Sequence, residues 1–143
     1  MNSNLDLGWE EWLSLPLINL PFIKAKVDTG AQTSVLHAKH IEAFKVKNKK
    51  YVRFEISPLP EKPKFTVSCS APLTGRRKVT SSNGESEKRY FIKTDVEISG
   101  ITWEIEVSLT DRKSMQYRML LGRSSIGPDM TVYASESFLN GQP

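Results

Sequence analysis

The sequence contains a single cysteine, Cys69, among 143 residues. One thiol cannot form a disulfide within the chain, which excludes a disulfide-stabilised domain and favours a reducing compartment. We therefore expect a cytoplasmic protein. Cys69 ends the strand-like stretch 65–69, where a small buried thiol is the expected state and a nucleophile is not, since a reactive thiol needs an electropositive, accessible setting.

The sequence also lacks any long hydrophobic run. No stretch approaches the roughly 20 apolar residues that a membrane-spanning helix requires, so we expect no membrane partner. Residues 1–7 contain Asn, Ser and Asp, not the basic and apolar regions of a secretory signal. A chain of 143 residues suits one domain, which we place at 1–143 with its core at about 8–139.

Motifs for metal and nucleotide chemistry are missing. The glycine-rich phosphate loop GxxxxGK[ST] does not occur, and neither does the zinc motif HExxH. The chain has two histidines, His37 and His40, with no glutamate between them, and adding Cys69 gives an incomplete ligand set for zinc. We therefore expect neither a metal nor another cofactor.

Charge is the one compositional excess. The net charge is +4 and the pI about 9.2, with basic residues concentrated at 45–50 and 76–78. Such clusters suggest a nucleic-acid-binding β-barrel as one alternative. No aromatic stacking platform, zinc finger or helix-turn-helix pattern accompanies them, so we interpret them as solvated loops and expect no nucleic-acid partner.

Hydrophobic residues mostly alternate with polar ones, at the period of a β-strand. Residues 92–98 and 101–109 alternate in this way on either side of Ser99-Gly100, which predicts an antiparallel hairpin. A shorter strand is predicted at 52–56. Helical signal is slight and predicts one short helix or turn at 33–44 and another at 124–127. The pattern therefore predicts an all-β domain.

Another hairpin is indicated by Asn83-Gly84, a pair that suits a two-residue turn with positive φ at both positions. Its predicted arms, 78–82 and 85–91, are polar. A polar hairpin that projects from a β-domain has little reason to pack against it. We interpret Ser82, Asn83 and Gly84 as the tip of a flap over a binding cleft.

The segment with most chemical content is Asp28-Thr29-Gly30-Ala31, which follows a strand predicted at 23–27. The pattern is typical of an aspartic peptidase loop. Asp28 supplies the carboxylate, and Thr29 can lock the loop by hydrogen bonding. Gly30 lets backbone approach closely, and Ala31 leaves room beside the reacting centre. An ordinary Asp-Gly-type turn is the alternative for the triplet alone.

A second motif far downstream strengthens the first. Leu120, Leu121, Gly122 and Arg123 form an apolar strand ending in glycine, and in pepsin-like lobes such a strand passes behind the Asp-Thr-Gly loop. Read alone, these residues are simply a buried strand. Together with Asp28 they favour the peptidase lobe, in which the glycine permits the close crossing.

The chain resembles the bacterial retropepsin-like family catalogued as "putative ATP-dependent zinc protease", one branch of which is associated with a RimK-type glutamate ligase. The segments that carry the resemblance are 8–12, 24–38, 76–94 and 103–123. The resemblance implies a single-lobe retropepsin-like closed β-barrel with one or two short helices. The chain departs from retroviral-type enzymes at Gln32, Thr33 and Ser124, which leaves Arg123 without its usual local carboxylate.

One lobe supplies one carboxylate, whereas hydrolysis of a peptide bond by carboxylates needs a pair. We therefore expect a homodimer in which Asp28 of each chain forms the catalytic dyad and activates water. The expected substrate is a peptide or protein. The positive charge favours acidic ones, and the resemblance to a family linked with a glutamate ligase implies glutamate-tailed ones. A catalytically silent lobe that serves as a binding or regulatory module is the alternative.

Overall fold

The computed structural model describes residues 4–80, 83–111 and 116–143. These residues form eleven strands: β1 (Leu5–Gly8), β2 (Glu10–Leu15), β3 (Leu20–Asp28), β4 (Ser34–His37), β5 (Lys39–Val46), β6 (Lys49–Ile56), β7 (Val67–Thr80), β8 (Ser86–Ile98), β9 (Ile101–Thr110), β10 (Met119–Gly122) and β11 (Met130–Tyr133). Two 3-10 turns are present, at Pro16–Ile18 and Arg123–Ser125. Within the described ranges there is no α-helix, and the predicted all-β class is confirmed.

Nine strands make one sheet in the order β2-β3-β10-β4-β9-β8-β7-β6-β5. A further pairing of Ser14 on β2 with Glu97 on β8 bends the first six into a ring. The buried apolar core draws on the ring strands β2, β3, β4, β8, β9 and β10 and extends to β1, β6 and β7. No helix in the described part of the chain is long and apolar enough to cross a membrane.

The hairpin of β8 and β9 matches its predicted pattern. Ile98 pairs with Ile101, and the connecting Ser99 and Gly100 both have positive φ, at 51° and 76°. Val96 and Ile98 are buried, whereas Glu97 between them is exposed. The alternation succeeds here because one face of the hairpin lies on the core and the other faces water.

The helix predicted at 33–44 is wrong. Residues Ser34–His37 form β4, which is buried along its whole length between β10 and β9. Residues Lys39–Val46 form β5, which pairs with β6 and ends the strand order of the sheet. Good helix formers in this run yield to strand pairing, with the distant β9 and β10 for β4 and with the adjacent β6 for β5.

The basic cluster at 45–50 is also not the loop that we expected. Val46 pairs with Lys49, and the two residues between them, Lys47 and Asn48, have φ of 50° and 67°. This is the geometry of a two-residue hairpin turn. The helix predicted at 124–127 corresponds to the 3-10 turn Arg123–Ser125, which begins one residue earlier.

Cys69 lies on β7 and is buried, with 5% of its surface exposed. Burial raises the pKa of its thiol to about 11. A thiol with a raised pKa carries little thiolate at neutral pH, so the structure agrees with the interpretation of Cys69 as a structural residue.

A buried carboxylate, Glu11, joins the two ends of the chain. Its Oε2 accepts hydrogen bonds from the amides of Gly8 at 2.7 Å and Leu139 at 3.0 Å, and its Oε1 accepts one from Asn140 at 3.2 Å. The side chain is fully buried. Nearby, a Cβ on Gly8 would lie 2.5 Å from the carbonyl oxygen of Glu136, so this contact requires glycine.

We predict that Glu11→Ala lowers the free energy of unfolding by about 2–4 kcal/mol, because three backbone amides lose a charged acceptor inside the protein. Urea denaturation measures this. Asp6→Asn, a charge loss at an exposed position of the neighbouring strand β1, is the matched control and should cost less than about 0.5 kcal/mol. Equal losses in the two variants would contradict the role given to Glu11.

Candidate active site

Asp28 is the last residue of β3. Ile23, Ala25 and Val27 point into the core, so the alternation of the strand places the Asp28 side chain on the opposite face, where it is partly buried. On one side, the amide of Val27 donates to the carbonyl of Trp9 at 2.8 Å. On the other side, Asp28 pairs with Gly122 in parallel register. The carboxylate therefore stands at the end of a strand that is held on both sides.

The loop after β3 fixes the orientation of the carboxylate. The amide of Gly30 donates to Asp28 Oδ1 at 3.1 Å, and the amide of Ala31 donates to the Asp28 carbonyl at 3.1 Å. A Cβ on Gly30 would lie 3.2 Å from Asp28 Oδ1, so a side chain here would crowd the carboxylate. Thr29 and Gly30 are exposed. The Thr29 hydroxyl forms no hydrogen bond with the described residues.

β10 passes between β3 and β4 and pairs with both. Leu121 is fully buried, and Leu120 is partly buried. A Cβ on Gly122 would lie 2.6 Å from both the carbonyl carbon and the oxygen of Thr33. No real side chain tolerates such a distance from backbone atoms, so this crossing requires glycine.

Arg123 braces the loop without a carboxylate. Its Nη1 donates to the carbonyl of Gly30 at 3.1 Å and to that of Thr29 at 3.5 Å. Its backbone amide donates to the carbonyl of Ala31 at 2.8 Å. The missing local acid noted in the sequence is therefore replaced by main-chain oxygens of the Asp28 loop.

Sequence reasoning missed two serines beneath this loop. Ser34 Oγ accepts a hydrogen bond from the amide of Gly122 at 3.0 Å and lies 2.6 Å from Ser125 Oγ. The carbonyl of Ser125 in turn accepts from Trp103 Nε1 at 2.8 Å. The available signal was a serine directly before the apolar pair Val35-Leu36, because a polar residue inside a buried strand needs a partner.

The polar hairpin consists of the outer parts of β7 and β8. Thr80 pairs with Ser86, whereas a two-residue turn at Asn83-Gly84 would place Thr80 opposite Glu87. The predicted two-residue turn is therefore wrong. The Asn83 side chain instead accepts a hydrogen bond from the amide of Glu85 at 3.1 Å, and Gly84 has a φ of +87°. Ser82, also assigned to the flap, lies outside the described residues.

Basic residues line this hairpin. Lys78 and Lys88 are exposed and form a cross-strand pair. The Arg76 guanidinium lies 5.2 Å from the ring centre of Tyr90. The basic cluster at 76–78 therefore lies on β7 and not in a loop.

The two histidines lie at the end of β4 and the start of β5. His37 is buried, with Nδ1 at 3.3 Å from Arg118 Nη1 and Nε2 at 3.9 Å from Asp111 Oδ1. His40 is exposed and contacts Glu55 at 2.8 Å. Within 4–80, 83–111 and 116–143, no three His, Cys, Asp or Glu side chains are grouped so that they could hold a metal ion.

Comparison with known proteins adds a family to this geometry. Residues 7–143 match the model of the RimB-like family, described as retropepsin-like aspartic endopeptidase RimB. Two curated relatives, from Shewanella pealeana and Shewanella halifaxensis, are each 45% identical over 95% of this chain and are named probable alpha-L-glutamate ligase. The chain spans only 30% of the length of these two relatives.

A solved structure from Legionella pneumophila, of a protein described as having unknown function, superposes with a TM-score of 0.78. It is 29% identical, and the match covers 96% of this chain and 99% of the other. The RimB-like family model covers nearly the whole of this chain, including the ring of strands and the Asp28 loop. This chain belongs to the RimB-like family of retropepsin-like aspartic endopeptidases.

Proposed function

We propose that this protein is an aspartic endopeptidase that acts as a homodimer, with one Asp28 from each chain forming the catalytic pair. The observation that carries the proposal is the Asp28 carboxylate itself. It stands at the end of a strand, is oriented by the Gly30 amide, and lies in a loop braced by Arg123. Membership of the RimB-like family supports the same chemistry.

The proposed mechanism needs two carboxylates in different protonation states. Two carboxylates held close together cannot both ionise cheaply, so the pair shares one proton. The ionised Asp28 takes a proton from water, whose oxygen attacks the peptide carbonyl carbon, while the protonated Asp28 of the partner polarises the carbonyl oxygen. Transfer of a proton to the nitrogen then breaks the C–N bond and releases two peptides.

Two features of the single chain favour a partner. The exposed Thr29 hydroxyl, which has no hydrogen bond to the described residues, lies beside Asp28 where a second lobe would meet the first. In addition, β1 and β11 form a separate two-stranded sheet at the chain ends, with Leu5 opposite Met130. A sheet of two strands leaves strand edges that a second chain can extend.

The hairpin of β7 and β8 supplies a lid in this proposal. Its outer arms are exposed and polar, and its tip lies beyond the last described pair, Thr80 with Ser86. An element that buries little apolar surface opens easily, and lids are drawn from such low-stability regions. The hairpin can therefore exclude water over a bound peptide and release the products.

Acidic peptides are the substrates that the charges favour. Lys78, Lys88 and Arg76 lie on the proposed lid. Lys26 lies on the same face of β3 as Asp28, two residues before it, and is exposed. The curated relatives carry a similar domain in polypeptides named as glutamate ligases, whose product would be rich in carboxylates. We propose that the endopeptidase cleaves peptides or tails rich in glutamate.

We predict that Asp28→Asn abolishes hydrolysis while leaving the fold unchanged, because the side chains are nearly isosteric but the amide cannot exchange the proton. Wild-type protein should show a bell-shaped dependence of rate on pH, whose two limbs belong to the pair of carboxylates. Cleavage of a peptide library, followed by mass spectrometry, measures turnover.

Mixing provides the control for assembly. Wild type that is unfolded and refolded with an excess of Asp28→Asn should be less active than the same amount of wild type refolded alone. The reason is that each mixed dimer contains only one Asp28. EDTA should leave the rate unchanged. A monomer that cleaves, or activity that persists in Asp28→Asn, would contradict the mechanism, and a well-folded wild-type dimer without turnover would favour the silent binding module.

For substrate choice, we predict that Lys78→Gln/Lys88→Gln lowers kcat/KM for a glutamate-rich peptide about three- to tenfold at low salt, and less at high salt, where charges are screened. Lys45→Gln/Lys50→Gln is the matched control, since it also neutralises a cross-strand lysine pair, on the hairpin of β5 and β6. Equal effects of the two double variants, or no preference for glutamate-rich over neutral peptides, would refute the substrate class.

A further inference from the structure

Arg89 is a charged residue inside the protein, on the arm of the hairpin that leads to the proposed lid. Only 6% of its surface is exposed. Removing a guanidinium from water is strongly unfavourable unless the group is paired and hydrogen bonded. Its Nε donates to Glu87 Oε1 at 2.5 Å, and Thr110 Oγ1 donates to the same oxygen at 2.6 Å. The cation is thus neutralised locally and fixed between β8 and β9.

The Nη1 end of the guanidinium points toward Ser108 on β9. Arg89 Nη1 donates to Ser108 Oγ at 3.4 Å, a long hydrogen bond. Ser108 is fully buried, and its hydroxyl donates to the carbonyl of Ser34 at 3.3 Å. Both hydrogen bonds of the Ser108 hydroxyl can form at once, because its oxygen accepts from Arg89 and its hydrogen is donated to Ser34.

Ser34 completes the path to the catalytic loop. The Ser34 carbonyl accepts a hydrogen bond from the Ser108 hydroxyl, and the Ser34 hydroxyl accepts one from the amide of Gly122 at 3.0 Å. Gly122 lies opposite Asp28 in the ladder of β3 and β10. A continuous set of buried contacts therefore leads from the base of the hairpin, across β9 and β4, to the backbone beside the carboxylate.

We propose that Arg89 is a positioning residue, which acts through Ser108 and Ser34 to hold the Gly122 backbone against Asp28 and so couples the base of the hairpin to the catalytic loop. The hairpin of β8 and β9 meets the distant strands β4 and β10 in this path, and each contact is buried. An exposed charge would not fix geometry in this way, since surface pairs are weak and mobile.

The exchange of backbone amides with solvent deuterium, followed by NMR, tests the proposal without any enzyme assay. Arg89→Met should accelerate exchange at Gly122 by about tenfold or more, because the Ser34 main chain is less firmly held through Ser108, which leaves the Ser34 hydroxyl that accepts this amide with its Ser125 contact. Ser108→Ala should do the same, and the double variant should add little to either, since both act in one path. The amides of Val96 and Trp103, at the far end of the β8–β9 ladder, should keep their wild-type rates.

Lys93→Met, which removes an exposed cation from the same strand, is the matched control and should leave Gly122 unchanged. Unchanged exchange at Gly122 in folded Ser108→Ala would overturn the proposal, even if Arg89→Met fails to fold. A uniform acceleration that includes Val96 and Trp103 would also overturn it, because it would show general loosening of the sheet.

A second measurement rests on the proposed peptidase function. Arg89→Met and Ser108→Ala should lower kcat for peptide cleavage about tenfold, with KM changed less than about twofold, since the path acts on the catalytic loop and not on the binding surface. A change in KM alone would contradict this role. If wild-type protein shows no turnover, the peptidase proposal fails, while the exchange at Gly122 still decides the role of Arg89.

Discussion

The candidate site depends on one close contact, the passage of Gly122 over Thr33. β10 can enter between β3 and β4 only because position 122 has no side chain, since a Cβ would meet backbone atoms at 2.6 Å. Once β10 is in place, its register sets Gly122 beside Asp28, and its next residue, Arg123, reaches the Asp28 loop. The position of the carboxylate is thus a consequence of backbone packing.

The opposite side of β3 is supported from the ends of the chain. Trp9 accepts the amide of Val27, and its own amide donates to Glu136 at 2.7 Å. Next to it, the buried Glu11 carboxylate gathers the amides of Leu139 and Asn140 from the C-terminal segment. The strand that carries Asp28 therefore lies between a glycine-dependent crossing and a carboxylate-dependent junction of the two chain ends, and a change at either should be felt at the site.

The sequence predicted those parts whose cause is local. The hairpin around Ser99-Gly100 follows from alternation and turn chemistry, and the Asp28 loop follows from a short motif. The helix predicted at 33–44 failed because strand pairing decided the conformation: β4 pairs with β9 and β10, which are remote in the chain, and β5 forms a hairpin with β6. The turn at Lys47-Asn48 was not predicted, because the run of lysines around it indicated a solvated loop. Asparagine adopts the left-handed conformation more readily than most residues, and this preference is the local cause of the turn.

Buried polar residues were the hardest to foresee. Arg89, Glu11 and Ser34 look like ordinary surface residues in the sequence. Only the folded chain supplies the hydrogen-bonding partners that offset the free-energy cost of burying them. Arg123 shows the same limit from the other direction. The sequence indicated a missing carboxylate, whereas the structure gives the guanidinium main-chain carbonyl oxygens, which no residue pattern can reveal.

A two-fold homodimer would explain why so much of this fold fixes one carboxylate. In such a dimer, any displacement of Asp28 toward or away from the axis is repeated in the partner, so the separation of the pair changes by twice that displacement. Catalytic groups must be held within about 0.5 Å of their productive geometry, so each lobe would have to hold Asp28 to roughly half of that value. Backbone hydrogen bonds and a contact that only glycine allows meet this demand better than flexible side chains, because they leave fewer degrees of freedom. In the proposed dimer the hairpin would have no such requirement, since it would need only to cover the peptide, and it could therefore remain polar and exposed.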